Sequence, residues 1–443
     1  MARKDKDKDD KQKAIPTSRA GRFARMARMA SGVAGGMLAE GTRQLAAGNR
    51  PKAKDLLLTP GNAERVAAQL ATMRGAAMKV GQMLSMDTGD FLPRELTDIL
   101  ARLRDDANYM PAKQLEEAMS TAFGEDWEAL FYGFDVKPIA AASIGQVHKT
   151  LSPDGREIVL KVQYPGVADS IDSDVDNIAG LLRISGLLPD HLDIQPLLED
   201  AKAQLQDEAD YLKEAKFLKA FSDLLKDDER FVVPELLPEL THRNVLAMTY
   251  VGGSPIESVE QMPQEERDRV MSVLFELMMR ELFELKMAQT DPNFANYQYR
   301  PETGEIVLLD FGATRRFKAS FVNNYKKLVA AGIEADEKKV VVAAERLGYA
   351  MGDQGSPYRE LALELFQLAM EPLCEDVDYD FAASDMTSKM ASMGENANDY
   401  REFWQAPPME AVFFHRKLGG MFLLATRLKA RVNVHRLITP WLN

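Results

Sequence analysis

The spacing of apolar and polar positions changes several times along this 443-residue chain. Thr59-Pro60 is a cap-like threonine followed by a proline suited to a first helical turn. It opens an alanine- and methionine-rich stretch with helical spacing to about residue 86, and further helical segments fall near 93–103 and 113–122. Strand character begins near 137. Segments 142–149 and 157–163 flank Ser152-Pro-Asp154-Gly155, a strong turn signal. Helical spacing returns at about 175–188 and again over 196–225, taken as one helix. Two β-rich runs follow at 231–233 and 245–251, the second ended by Gly252-Gly253. Beyond them the pattern is mostly helical, except for a short strand pair near Asn296 and 306–309. The fold class this predicts is α+β and bilobal. Its expected parts are an extension at 1–50, a helical region at 51–135, a sheet-bearing lobe at 136–251 and a helical lobe at 252–443.

Charge and composition narrow the classes. The net charge of −13 excludes a nucleic-acid binder by charge. Residues 1–30 hold ten Lys/Arg and four Asp, a local +6 that leaves about −19 on the remainder. Residues 3–13 read as low-complexity and disordered. After them, Arg19, Arg22, Arg25 and Arg28 recur every three residues beside Phe23, Met26 and Met29. That spacing reads either as a basic amphipathic helix for an anionic membrane or as a solvated tail. No run of 18 apolar residues marks a membrane span, and no secretory signal is visible. The single cysteine, Cys374, rules out an internal disulfide framework and suits a reducing compartment.

Four motifs carry the chemistry. Lys161 stands in Ile158-Val-Leu-Lys161-Val, a buried-strand pattern with one charge, which is costly unless the charge is paired. Taken alone it could equally be an edge-strand lysine facing water. Glu214 lies on the helix expected over 196–225. Asp291-x-x-x-x-Asn296 has the spacing that lets a loop bring both side chains to one metal–phosphate cluster. Pro292 keeps Asp291 out of the helical region. Asp310-Phe311-Gly312 ends an apolar strand pattern, as a metal-binding carboxylate does. In this order they are the parts of a protein-kinase-like site for ATP or ADP and Mg2+. Lys161 pairs the phosphates, Glu214 holds the lysine, Asp291 faces the transferred group, and Asn296 and Asp310 hold the metal. Met248 and Tyr250, in the run before Gly252, are candidate nucleotide contacts.

Two kinase parts are missing. No G-x-G-x-x-G covers the phosphates; Ala140, Ala141, Ala142, Ser143 and Ile144, followed by Gly145, stand there instead. No A-P-E element follows the Asp310 motif, and Arg315-Arg316-Phe317 leads almost directly into helix. The usual His-Arg before the catalytic aspartate is replaced by Gln289-Thr290. The stretch 271–279 offers a methionine-rich surface, but Val273, Leu274, Leu277 and Met278 read more simply as a core helix face.

With these residues the chain resembles the UbiB/ADCK atypical kinases linked to ubiquinone (coenzyme Q) biosynthesis. Lys79-Val-Gly-Gln82 matches the family's KxGQ element, and 138–148 its alanine-rich loop. Glu208-Ala-Asp210 matches its ExD element, and 289–296, 309–315 and His415-Arg-Lys-Leu-Gly-Gly420 match the later ones. The resemblance spans roughly 62–431. It implies a helical KxGQ extension packed over the active-site cleft, with Lys79 and Gln82 joining Glu208 and Asp210. On a regular helix Glu208 and Asp210 would face different sides, so either the helix is irregular there or only one of them meets Lys79. The implied activity is that of an Mg-dependent ATPase supporting ubiquinone biosynthesis at a membrane surface. The alternatives are a nucleotide-gated chaperone for lipids or quinone precursors, and a small-molecule kinase. Implied partners are ATP, anionic membrane lipids, quinone-precursor-like phenols and other ubiquinone-biosynthesis proteins. The expected location is cytoplasmic, peripheral on the inner face of the membrane.

Alanine resists the φ > 0 conformations that a phosphate-cradling loop uses. Ala141→Gly or Ala142→Gly is therefore expected to change ATP affinity relative to ADP affinity. Calorimetric titration checks this, and identical affinities in variant and wild type would remove the loop's role.

Overall fold

The computed structural model describes residues 109–184, 195–397 and 408–442, together with Ala76 and Val80. Those two residues are helical, buried and four apart, so they share a helix face. Lys79, Gln82 and the basic stretch 1–30 lie outside the described residues, as does most of the expected KxGQ extension. The chain divides into two units: 1–219 with 235–250, and 220–234 with 251–443.

Along the chain, helix α1 (Ala112–Phe123) and a 3-10 turn (Trp127–Leu130) precede strands β1 (Ala140–Ala141), β2 (Gly145–Leu151) and β3 (Glu157–Gln163). Helices α2 (Ile171–Ile184), α3 (Gln195–Glu208) and α4 (Tyr211–Leu225) follow, then strands β4 (Phe231–Val232) and β5 (Val245–Thr249).

The first unit is built on the antiparallel sheet β1-β2-β3-β5. Strand β3 explains its own composition: six of its seven residues are buried, and the two faces have different partners. With a side-chain period of two, Ile158, Leu160 and Val162 share one face. They join a core with Leu115 and Met119 of α1, Trp127, Phe131, Val245 and Ala247. Val159, Lys161 and Gln163 occupy the other face. Register places Leu246 opposite Lys161 and Met248 opposite Val159, so these β5 side chains share the lysine's face.

The sequence reading of one helix over 196–225 is corrected here. The chain breaks at Ala209–Asp210 into α3 and α4. The cause is a hydrogen bond from the sheet: Gln163 Nε2 donates to the Ala209 carbonyl at 2.7 Å. The Lys213 N–H that a continuous helix would send to that carbonyl bonds instead to Asp210 Oδ1 at 3.0 Å. Asp210 thus serves as the cap that starts α4.

In the second unit come β6 (Ser254–Pro255), α5 (Gln264–Met279), a π-turn (Arg280–Glu284), β7 (Met287–Gln289), β8 (Tyr297–Arg300), β9 (Glu305–Leu308) and β10 (Thr314–Arg316). Helices α6 (Ala319–Ile333), α7 (Glu337–Leu347) and α8 (Pro357–Cys374) follow, then β11 (Tyr379–Asp380) and α9 (Met386–Ala397). Helix α10 (Met409–Leu428), β12 (Arg431–Val432) and α11 (Val434–Leu442) complete it. One sheet has the order β4-β9-β8-β6, with β4 parallel to β9; β7 pairs with β10 and β11 with β12. The methionine-rich stretch is core: Met271, Val273, Leu274, Phe275, Leu277, Met278 and Met279 of α5 are all buried. Phe275 packs on Phe381 and Phe422. Among the described residues no helix is long and apolar enough to cross a membrane.

Segment 220–234 is tied to α5 by charge. Asp228 bonds Arg230 at 2.8 Å and Arg280 at 2.7 Å, and Arg230 also meets Glu276 at 2.7 Å. The Arg230 guanidinium, with Arg280 behind it, holds the Asp228 carboxyl at about 2. A carboxyl whose folded pKa lies below its unfolded value of about 3.9 stabilises above that value, and the contribution is lost as pH falls towards 2. Asp228→Asn is therefore expected to lower the urea midpoint at pH 6, with the gap to wild type narrowing below pH 4. A gap that does not change with pH would contradict the ion-pair role.

Candidate functional site

Each unit presents its own set of site residues. In the first, Lys161 Nζ reaches both oxygens of Glu214, at 2.9 and 3.1 Å. Lys161 is 8% and Glu214 2% exposed. The break after α3 is what delivers Glu214: α4 starts afresh at Tyr211, and its first turn carries Glu214 onto the lysine's face of β3. The Tyr211 ring lies 5.4 Å from the lysine nitrogen, a cation–π contact on the same face.

The alanine-rich stretch is a tight hairpin rather than a loop preceding the first strand. Ala140 and Ala141 form β1, paired to Val147 and Gln146 of β2, and the Ala142 N–H donates to the Gly145 carbonyl at 2.9 Å. Ala140 and Ala141 are exposed, and Ile144 is buried and anchors the turn. Gly145 allows the fit: a Cβ there would lie 2.3 Å from the Val162 carbonyl oxygen. Ser143 Oγ donates to Glu208 Oε2 at 2.6 Å, so the hairpin and the end of α3 are joined. Of the expected ExD pair, Glu208 meets this turn while Asp210 caps α4. The helix is interrupted between them, as the first of the two alternatives has it; the second concerns Lys79, which lies outside the described residues. Met248 is buried on β5, and Tyr250 is partly exposed with Lys149 Nζ 3.7 Å from its ring centre.

In the second unit, Asp291 follows β7 and Asn296 closes a 3-10 turn capped by Asn293, whose Oδ1 accepts the Ala295 N–H at 3.1 Å. Asp310 follows β9, and its Oδ1 accepts the Gly312 N–H at 3.0 Å. The two loops are tied by Thr290, whose Oγ1 donates to the Ala313 carbonyl at 2.8 Å. The Asn296 N–H bonds the Asn293 carbonyl, and its own carbonyl accepts the Leu309 N–H at 3.0 Å, next to Asp310. Phe311 is buried against Phe221. Strand β10 ends at Arg316 and α6 begins at Ala319, so no long segment follows the Asp310 motif.

These residues suit Mg2+. Asn296 is 8% exposed, and its Nδ2 is buried with no hydrogen-bond partner among the described residues. A buried N–H donor is costly unless an acceptor engages it, so the nitrogen calls for an acceptor such as a phosphate oxygen, and only the carboxamide oxygen can meet an ion. An amide and a carboxylate are oxygen donors of the kind a hard cation takes. Among the described residues no three His, Cys, Asp or Glu side chains gather as a metal cluster.

The sequence reading missed the close approach at Gly145, the grip of Gln163 and Ser143, and the Thr290 tie. Only the glycine left a local signal.

Residues 102–344 match the ABC1 atypical kinase-like domain. The chain is 38% identical over 427 residues to the Saccharomyces cerevisiae mitochondrial atypical kinase COQ8, covering 96% of this chain and 85% of that protein. It is 38% identical over 431 residues to the Caenorhabditis elegans mitochondrial atypical kinase coq-8, of which it spans 57%. Among solved structures, the Rv3197–erythromycin complex from Mycobacterium tuberculosis matches with a TM-score of 0.57 at 24% identity, covering 85% of this chain and 95% of that one. The chain has an α+β kinase-like fold. It belongs to the ABC1 (UbiB) atypical kinase-like family.

Lys161→Met withdraws the cation from a deeply buried carboxylate and is expected to lower unfolding stability by about 3–5 kcal/mol. Adding Glu214→Gln should restore most of it. Urea unfolding of both variants checks this, and a double variant as unstable as the single would contradict the pairing.

Proposed function

We propose that the chain is an atypical kinase-like, Mg-dependent ATPase that supports ubiquinone biosynthesis at a membrane surface. The observation that carries this reading is the two-oxygen grip of Glu214 on Lys161, which fixes a charged lysine on the inner face of β3. In this reading Lys161 meets the α- and β-phosphates, and Glu214 orients it. The stiff hairpin Ala140 to Ile144, fixed by Ser143 on Glu208, limits how phosphates are cradled. Met248 and Tyr250 contact the nucleotide base. Asn296 and Asp310 hold Mg2+, which neutralises phosphate charge when bound. Asp291 accepts the proton of the attacking hydroxyl or water. Lys79, Gln82, Glu208 and Asp210 are assigned to the same chemistry by the family's pattern.

The short connection from Arg316 to Ala319 supports a second reading, a kinase for a small acceptor. It leaves little chain for docking a peptide. The names of the relatives place those proteins in mitochondria, which supports work near a membrane that carries quinone synthesis. Contact with anionic lipid is assigned to the basic stretch 1–30, and the protein is taken to be peripheral. Quinone-precursor phenols and other ubiquinone-biosynthesis proteins are the proposed partners.

The test is ATP hydrolysis by the full chain, with and without anionic liposomes, beside Asp310→Asn. Turnover that rises with liposomes and falls at least about a hundredfold in the variant is expected for a lost metal ligand. Turnover unchanged in Asp310→Asn would overturn the site. Absence of any turnover would favour a nucleotide-gated binding protein for lipids or quinone precursors.

A further inference from the structure

Helix α10 carries a buried charge with no role in the chemistry assigned so far. Lys417 is 2% exposed and forms an ion pair with Glu281, itself 1% exposed and 136 residues away in sequence. A buried ion pair is weak evidence for stability, because desolvation offsets much of the attraction. Its location is more informative. Glu281 sits in the π-turn that ends α5, an irregularity often found at functional sites. Its Oε1 accepts the Gln289 N–H at 3.4 Å, two residues before Asp291.

One turn further along α10, Gly420 lies on the same side of the helix as Lys417. A Cβ built on Gly420 would stand 2.5 Å from Pro292 Cβ and 3.1 Å from Pro292 Cα, against the ring and backbone that follow Asp291. Its neighbour Gly419 has nothing within 4 Å of such an atom. The helix therefore touches the Asp291 loop on both flanks, through Glu281 at Gln289 and directly at Pro292.

We propose that Lys417, Glu281 and Gly420 are positioning residues for Asp291. The ion pair sets where β7 releases the chain, and the bare face at Gly420 lets Pro292 seat against α10. The assignment rests on the ATPase reading for its effect on rate, and on geometry alone for its effect on the loop. It also accounts for the His415–Gly420 motif, since α10 braces the Asp291 loop where the usual His-Arg is replaced by Gln289-Thr290.

The experiment compares Gly420→Ala, Gly419→Ala and the charge-free pair Lys417→Met with Glu281→Gln in the full chain. Small displacements of a reacting group cost up to about a hundredfold in rate. Gly420→Ala is expected to lose about tenfold or more in kcat for ATP hydrolysis, with KM for Mg-ATP within about twofold of wild type. Gly419→Ala should match wild type. The charge-free pair, which keeps side-chain volume, should show the same kcat-specific loss. Hydrogen exchange of the 289–297 segment supplies a readout that needs no turnover: faster exchange is expected in Gly420→Ala and not in Gly419→Ala. Equal kcat and equal exchange in the two glycine variants would overturn the proposal. Wild type that turns over no ATP would overturn the ATPase reading instead, and the exchange result would then decide the positioning role alone.

Discussion

A lysine buried in the middle of a strand is the constraint around which the first unit is built. Among the groups that make an ammonium at Lys161 tolerable there, Glu214 grips it through both oxygens and the Tyr211 ring lies beside it. Everything that delivers Glu214 follows from that need. Gln163, two residues along the same strand face, takes the Ala209 carbonyl and ends α3. Asp210 then caps a new helix whose first turn carries the glutamate. The strand's other face does ordinary work, with Ile158, Leu160 and Val162 filling the core against α1. One seven-residue strand thus fills the core on one side and holds the buried Lys161–Glu214 ion pair on the other.

The second unit depends on close backbone approach rather than on one charge. The Asp291 and Asp310 loops are bound to each other through Thr290 to Ala313 and through Asn296 to Leu309. Helix α10 lies against the first of these loops at a glycine. The contact between the hairpin turn and β3 at Gly145 follows the same rule. In both places any side chain would collide with backbone or with a proline ring, neither of which can swing aside.

Much of this was legible in the sequence. The run at Lys161 and the motifs at Asp291 and Asp310 are local patterns, and the strands before Lys161 and Asp310 have strong apolar signals; β7, the three-residue strand before Asp291, was passed over in a pattern read as mostly helical. The short path from Arg316 into α6 was also readable. The interruption between α3 and α4 was not, because its cause is a glutamine 46 residues upstream whose partner is a main-chain carbonyl. Helical spacing runs through Ala209 undisturbed, so periodicity alone favours one helix. The alanine-rich stretch was read as a loop because two residues are too few to show alternation; pairing with β2 makes it a strand. Glu281 and Lys417 were invisible as a pair because nothing local connects positions 136 residues apart. The expected KxGQ contacts of Lys79 and Gln82 lie outside the described residues.

Neutral side chains of similar shape often replace a buried ion pair with little loss of stability. If the Lys161–Glu214 pair exists for the nucleotide, its removal should therefore separate binding from folding. The most direct measurement is calorimetric titration of Mg-ATP into the folded double variant Lys161→Met with Glu214→Gln. The account requires at least a tenfold loss of affinity, about 1.4 kcal/mol, in a protein that remains folded. Affinity equal to wild type would show that the pair serves the fold alone and would contradict the account.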